Sequence, residues 1–343
     1  MGITVVVGGQ YGSEGKGKVA AHLAKEFKMS IRTGGPNAGH TIRDNGHLYK
    51  MRSVPCAFIN PECVLGIGAG AVFAPEILLE EIRACGIRKG QLYVDPNAAI
   101  IEERHRIAEG ELMKRISSTA EGVGTATSEK ALRAEQLKTA SSISALREWL
   151  GDVAGIANEI IDSGRNVFLE GTQGFWLSLH HGRYPYVTSR DTTPGCLCSD
   201  AGLSPRLVDE IIMVVRTWPI RVGGPSGPFA EAETTWEVVE KESGSKTAIR
   251  EFTTVTNRLR RVARFSMEEI KRAAMIMRPT QIALNHVDQL NSEDKGKTAF
   301  KDLSRKSKQF ISDIEAETGV RVSLIGTGER ARDIIDIREG VLA

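Results

Sequence analysis

The chain has 343 residues, of which 41% are hydrophobic and 26% charged, with a formal net charge of +2. That length allows a large core, and the composition is that of an ordinary globular protein. The near-neutral balance excludes a global basic field that would demand nucleic acid, and no apolar run reaches the length of a membrane span.

Residues Thr4 to Lys18 read TVVVGGQYGSEGKGK. A short β-branched run passes into Gly8, Gly9, Gly12, Gly15 and Gly17, with Lys16 and Lys18 inside the glycine cluster. Strand, glycine-rich turn and helix together present backbone N–H groups and a helix N-terminus to a phosphate. The lysine adds a point charge. The spacing is P-loop-like without being a Walker A motif, because Gly17, not Ser or Thr, follows Lys16.

Strand-like runs follow at 3–7, 63–67, 92–94, 166–169, 213–217, 281–284 and 320–325. Helix-like runs lie at 18–27, 75–85, 101–114, 143–163, 205–212, 267–277 and 302–318. Their alternation predicts an α/β fold with a mostly parallel central sheet flanked by helices. Ala145, Trp149, Val153, Ile156 and Ile160 repeat at helical spacing and predict a core face. No internal repeat or low-complexity linker interrupts the chain, so one elaborated domain over 1–343 is expected. Cys56, Cys63, Cys85, Cys196 and Cys198 form no disulfide framework, which points to a reducing, cytoplasmic setting. Cys196 and Cys198 lack a second pair at zinc-ligand spacing.

Long polar loops at 33–54, 116–138, 171–204, 221–231 and 252–265 are the expected carriers of function. In the first, Gly34 to Thr41 (GGPNAGHT) places His40 in a glycine turn, where it could exchange a proton near neutral pH. Ser117 to Thr125 is rich in hydroxyls and glycine and could bind phosphate with Lys130 and Arg133 behind it. Leu169 to Gly174 (LEGTQG) follows a strand, at the end where open α/β sheets place ligands. It leads to His181 to Ser189 (HGRYPYVTS), in which Tyr184 and Tyr186 read as packing residues. Thr253 to Arg261 sets hydroxyls before Arg258, Arg260 and Arg261. That pattern suits a small carboxylate or a phosphate, and equally a solvated basic face. Asp288, after Asn285 and His286, could accept hydrogen bonds from a nucleobase. Gly326 to Arg330 (GTGER) could close over the same base.

Taken together, QYGSEGKGK, GGPNAGHT, EGTQG, HGRYPYVTS, the 253–261 loop, NHVD and GTGER resemble adenylosuccinate synthetase along almost the whole chain. The resemblance implies a nucleoside triphosphate-dependent ligase with Mg2+ that joins a purine nucleotide to L-aspartate through a 6-phosphoryl intermediate. It implies that His40 is a general acid at the purine 6-oxygen, with Gln173 beside it, and that Gly39 offers a carbonyl to Mg2+. Gly12, Gly15, Lys16, Gly17, Asn37, Thr41, Thr119, Thr188, Asn285, Asp288, Gly326 and Gly328 match nucleotide- and phosphate-binding positions. Thr254, Val255, Thr256, Arg258 and Arg260 match aspartate-binding positions. Arg133 matches an arginine that reaches the partner's nucleotide, which implies a homodimer.

Two departures refine the expectation. The family pattern G-D-E-G-K-G-K has its catalytic and metal-binding Asp where this chain has Ser13, a weak base and a poor metal ligand beside a carboxylate. The smaller side chain leaves room for a 2-amino group, as in the viral branch that joins dGMP to aspartate in diaminopurine synthesis in bacteriophages. His286 also stands where GTP-using relatives carry Lys, which favours ATP or dATP over GTP. The alternatives are an ordinary enzyme acting on IMP with GTP, and a catalytically dead nucleotide-binding protein.

Overall fold

The computed structural model describes residues 2–253 and 257–338. Among them runs a nine-stranded sheet. Its order is Ile334–Asp336, Val322–Gly326, Gln281–Asn285, Val208–Arg216, Ile3–Gly8, Val167–Glu170, Met29–Arg32, Val64–Ile67 and Leu92–Val94. Every neighbouring pair is parallel except the edge pair Val322–Gly326 with Ile334–Asp336. The mostly parallel α/β architecture is therefore as the alternation of runs predicts.

Buried apolar residues cover both sheet faces, as a parallel sheet requires. Val6, Phe168, Leu65, Val94, Ile212 and Val214 pack on the face that also buries the helix Lys16–Leu23. Val5, Val7, Ile31, Leu169, Met213 and Leu284 face the other way. There they meet the helices Val153–Asp162, Pro194–Ala201, Met267–Met277 and Arg305–Thr318. Because the strands run parallel, Gly8, Arg32, Glu170, Arg216, Asn285 and Gly326 all end on one edge. The loops that leave that edge build the site.

Several boundaries differ from the sequence reading, each for a local reason. The first helix begins at Lys16 because Gly15, left-handed at φ 95, serves as its N-cap; after Leu23 the chain tightens into a 3-10 turn over Ala24–Glu26. The expected helix 101–114 is two helices, Glu103–Ala108 and Gly110–Ile116. Between them the Glu109 side chain accepts from the N–H groups of Gly122, Gly124 and Thr125. The 143–163 helix is a 3-10 stretch, Ser144–Trp149, followed by the helix Val153–Asp162, so Ala145 is exposed instead of joining a core face. Gly151 breaks it by packing against the Tyr93 ring, and Asp152 caps the new helix at the N–H of Gly155. The 205–212 helix shrinks to a 3-10 turn, Pro205–Leu207, because the β-branched run from Val208 joins the sheet beside Ile3–Gly8. The last helix starts at Arg305, after the Ser304 hydroxyl caps it.

The loops also hold elements that the sequence pattern hides. These include the helices Val123–Leu132 and Trp236–Ser243 and the hairpin of His40–Asp44 with His47–Met51. A small antiparallel sheet of Ile220–Arg221, Arg261–Ala263 and Glu233–Thr234 packs on Trp218 and Trp236 and anchors the arginine loop.

Phe168 is 1% exposed and its ring lies 4.8 Å from that of Phe27. Phe168→Ala is expected to cost about 3–5 kcal/mol in urea unfolding through the cavity it leaves; a cost below about 1 kcal/mol would contradict this view of the core.

Candidate active site

The glycine-rich turn is shaped from inside by Glu14. Its fully buried carboxylate accepts from the N–H groups of Gln10 and Gly12 and from Lys16 Nζ at 2.6 Å. Glu14 is thereby committed to shaping the loop and does not point to its crest. The turn is fastened to neighbouring strand ends. Asn285 Nδ2 donates to the carbonyl of Glu14 at 2.8 Å, and Arg216 Nη1 donates to the carbonyl of Ser13 at 3.1 Å. Arg216 is itself buried against Glu251, whose carboxyl the guanidinium holds far below the usual range despite burial. Asn285 therefore shapes the loop, while Gly326 lets its own backbone pass close to the Asn285 amide.

Ser13, at φ 57, points outward at the crest of this turn. Two cavities meet there. One, of about 330 Å³, is lined by Gly12, Asn37, Thr119, Gln173 and Thr188, with Tyr184 and Tyr186 on its wall. The tyrosines are thus cavity residues, not core packing. The other, of about 680 Å³, is lined by Gly15, Gly17, Lys18, Thr41, Asp288 and Gly328. Its described lining carries seven Lys and Arg against three carboxylates, a balance that suits a polyanion. Ser13, Lys16, Gly39, His40 and Arg260 line both cavities, so a group held in one can reach a group held in the other at that junction.

His40 begins the first strand of its hairpin and is 8% exposed. Its Nδ1 lies 2.5 Å from Glu170 Oε1, and the N–H of Cys56 donates to Glu170 Oε2 at 2.6 Å. Arg32 Nη1 approaches the same Oε1 at 3.3 Å, and its Nη2 donates to the carbonyl of Ala38. Burial opposes a charge on Glu170, yet the His40 bond and the Arg32 guanidinium hold it below the usual carboxylate range. Burial, with Arg32 beside it, pushes His40 down to about 4 against the pull of Glu170. The protein surroundings alone thus favour the neutral ring, and an anion placed against it would favour its charged form.

His40, Cys56 and Glu170 also lie close enough together to suggest a metal centre. The chemistry opposes one: Arg32 already occupies the carboxylate, and burial holds the Cys56 thiol protonated. For Mg2+, Gly39 and Ser13 line the junction, and a carbonyl and a hydroxyl are the oxygens they could offer. That sparse oxygen set fits an ion carried chiefly by substrate phosphates.

In the larger cavity, Asp288 Oδ1 is buried without a hydrogen-bond partner among the described residues, a ready acceptor for a donor on a base. Burial raises the Asp288 carboxyl, with Lys18 opposing, and burial lowers Lys18 to about 8. His286 is left-handed at φ 64 and is pushed down to about 3 by burial and Arg216, so it enters this cavity as a neutral ring. Arg260 is lowered to about 10 by burial, against Glu251.

Three expected site residues stand apart, one of them Gly326, which lines neither cavity and instead lies against Asn285. Arg258 is exposed and outside the described lining of either cavity, and Arg133, exposed at the left-handed C-cap of Val123–Leu132, lines neither. Thr254, Val255 and Thr256 lie outside the described residues. Sequence reading missed Arg32, Glu170, Arg216 and Glu251. The available signal was a charge at the end of an otherwise apolar strand, as in Glu170 and Arg216.

Gly17 backs His40: a Cβ there would sit 2.7 Å from His40 Cβ. Gly17→Ala is expected to lower turnover by about 100-fold or more, as small misplacements at reacting centres do. Gly195→Ala, where an added Cβ meets nothing within 4 Å, should leave turnover unchanged. Equal effects of the two would contradict the packing of Gly17 on His40.

The family model described as adenylosuccinate synthetase matches residues 5–142 and 134–298. The adenylosuccinate synthetase of Methanocaldococcus jannaschii is 44% identical over 343 residues, covering 98% of this chain and 96% of that protein. The fully ligated adenylosuccinate synthetase of Plasmodium falciparum shares the fold, with a TM-score of 0.88 at 23% identity, over 98% of this chain and 100% of that one. The succinoaminodeoxyadenylate synthetase of cyanophage S-2L, solved with dGMP and with dATP as energy donor, superposes with a TM-score of 0.82 at 28% identity, over 98% of this chain and 95% of that one.

Proposed function

The chain belongs to the adenylosuccinate synthetase family, whose members are ligases forming a C–N bond with aspartate, and within it we propose that the acceptor is dGMP. The observation that carries this reading is Ser13 at the junction of the two cavities, where the family pattern has Asp. A carboxylate there would take the proton from purine N1, and its bulk would fill space beside C2 that a 2-amino group needs. The serine removes the charge and most of the bulk. The diaminopurine and bacteriophage assignment has its support in Ser13 and in the cyanophage neighbour.

The ordinary reaction on IMP is the second reading. On the comparisons alone it has the better support, since the archaeal relatives at 40–44% identity carry the name adenylosuccinate synthetase. A binding protein without catalysis is disfavoured by the intact His40, Lys16 and Gln173 around the junction.

In the proposed reaction the triphosphate lies in the larger, cationic cavity and the purine monophosphate in the smaller one. The γ-phosphoryl group passes at the junction to the purine 6-oxygen, breaking its bond to the β-phosphate oxygen, while the N1 proton passes to solvent beside Ser13. The amine of aspartate then attacks C6, loses a proton, and inorganic phosphate leaves with the former 6-oxygen. Lys16 neutralises the transferring group, and the N–H groups at the start of Lys16–Leu23 receive it without reorganising. His40 stabilises charge on the 6-oxygen, and Gln173 flanks it. Mg2+ held at Gly39 and Ser13 would supply charge neutralisation for the phosphates. Arg260, which lines both cavities, would hold a carboxylate of aspartate. ATP or dATP is the proposed donor on the strength of His286; the orphan oxygen of Asp288 is the observation that favours GTP, whose base offers paired donors. Arg133, which lines neither cavity of its own chain, is proposed to serve a second copy.

The test is ligation by the purified protein with ATP, Mg2+, aspartate and either dGMP or IMP, with the succinylated product read by mass. The expected result is turnover of dGMP at least about 10-fold faster than IMP, the low end of what one small group in a fitted pocket is worth. Turnover of IMP with none of dGMP would overturn the dGMP reading and leave the IMP reading standing.

A further inference from the structure

We propose that Glu170 is the positioning residue for His40, fixing both the orientation of its ring and the nitrogen that faces the reacting atoms. The proposal rests on His40 acting at the purine 6-oxygen. Glu170 ends the strand Val167–Glu170 and is 1% exposed, so its carboxylate cannot reach the substrate itself. Its two oxygens are fully employed on the chain. Oε1 faces His40 Nδ1 at 2.5 Å and Arg32 Nη1 at 3.3 Å, and Oε2 takes the Cys56 N–H at 2.6 Å.

Each of those groups meets an acceptor. Arg32 and the Cys56 amide can only donate. A charged carboxylate flanked by two obligate donors therefore requires His40 to present Nδ1–H to it. The opposite edge, Nε2, is then the edge left to face the cavities that His40 lines. Gly17 packs against the base of the His40 side chain, where an added Cβ would sit 2.7 Å from His40 Cβ, and so limits how the ring can be placed. Arg32 extends the clamp to the backbone, because its Nη2 holds the carbonyl of Ala38, two residues before His40.

Gln at this position cannot do the same work. With its oxygen toward His40 and Arg32, its amide hydrogens confront the Cys56 N–H. Flipped, they confront His40 Nδ1 and impose the opposite tautomer. Only a carboxylate satisfies all three neighbours, and the effect of a wrong tautomer in a carboxylate–histidine pair is large.

The experiment compares wild type, His40→Asn, Glu170→Gln and Glu170→Asp with whichever acceptor wild type turns over. It records kcat, each KM, thermal unfolding, and the 15N and 1H resonances of the His40 ring, assigned by their absence in His40→Asn. The account expects His40→Asn to lose product formation. It expects Glu170→Gln to lower kcat by about 100-fold or more while each KM moves less than about threefold, in line with lost orienting partners elsewhere. The downfield Nδ1 proton should vanish in Glu170→Gln, and Glu170→Asp should recover part of the kcat. The inference is overturned if Glu170→Gln keeps wild-type kcat. It is equally overturned if kcat falls only as the folded fraction falls, with the His40 resonances unmoved. If His40→Asn itself turns over normally, the parent reading of His40 fails instead.

Discussion

Two charges buried side by side at the ends of adjacent parallel strands, Arg32 and Glu170, are the constraint on which the rest of the site depends. They are register partners in the sheet, each at most 1% exposed. Removing one partner of such a pair typically costs about 3–5 kcal/mol, because the other charge is left without compensation. The fold tolerates the pair because the sheet brings the two residues together without choice, and because each spends its remaining capacity on a functional loop. Arg32 holds the carbonyl of Ala38, and Glu170 holds His40 and the Cys56 amide. The same design recurs across the sheet, where Arg216 pairs with Glu251 and holds the carbonyl of Ser13. Buried ion pairs at the strand ends thus convert the rigidity of a parallel sheet into fixed loop positions.

That scaffold places two cavities on either side of one narrow set of groups. Lys16 and the start of the first helix supply positive potential, His40 supplies a polar ring edge, and Ser13 supplies a small neutral hydroxyl at the crest of the turn. Every charged side chain near the crest is already bound to another part of the chain: Glu14 to Lys16, Glu170 to Arg32, Glu251 to Arg216. These three carboxylates are therefore not free to take the place of an aspartate at position 13. In the proposed reaction the chemistry at purine N1 would fall to Ser13 or to solvent held by it.

Much of this was legible in the sequence. The β-branched runs announce the central strands, and the glycine turn of Gly8 to Lys18 announces an anion site. The motif loops are brought together at the strand ends, as their order along the chain implies. What stayed hidden was hidden for physical reasons. The strand Met29–Arg32 is four residues long and ends in a charge, so it carries no alternation to read. The run from Val208 looked helical until its pairing with Ile3–Gly8 was known, since tertiary pairing decides between helix and strand in short apolar runs. Glu170 and Arg216 gave only the faint signal of a charge among buried residues. Their partners, Arg32 and Glu251, lie far away in sequence, and nothing local pairs them.

The central claim is that position 13 sets which purine is accepted. Its most direct test is the ratio of kcat/KM for dGMP to that for IMP in wild type and in Ser13→Asp. The account expects the ratio to favour dGMP in wild type and to fall by about 100-fold or more in the variant, a change of about 2.7 kcal/mol in transition-state preference. A ratio that stays the same in Ser13→Asp, with the variant folded and active, would contradict it.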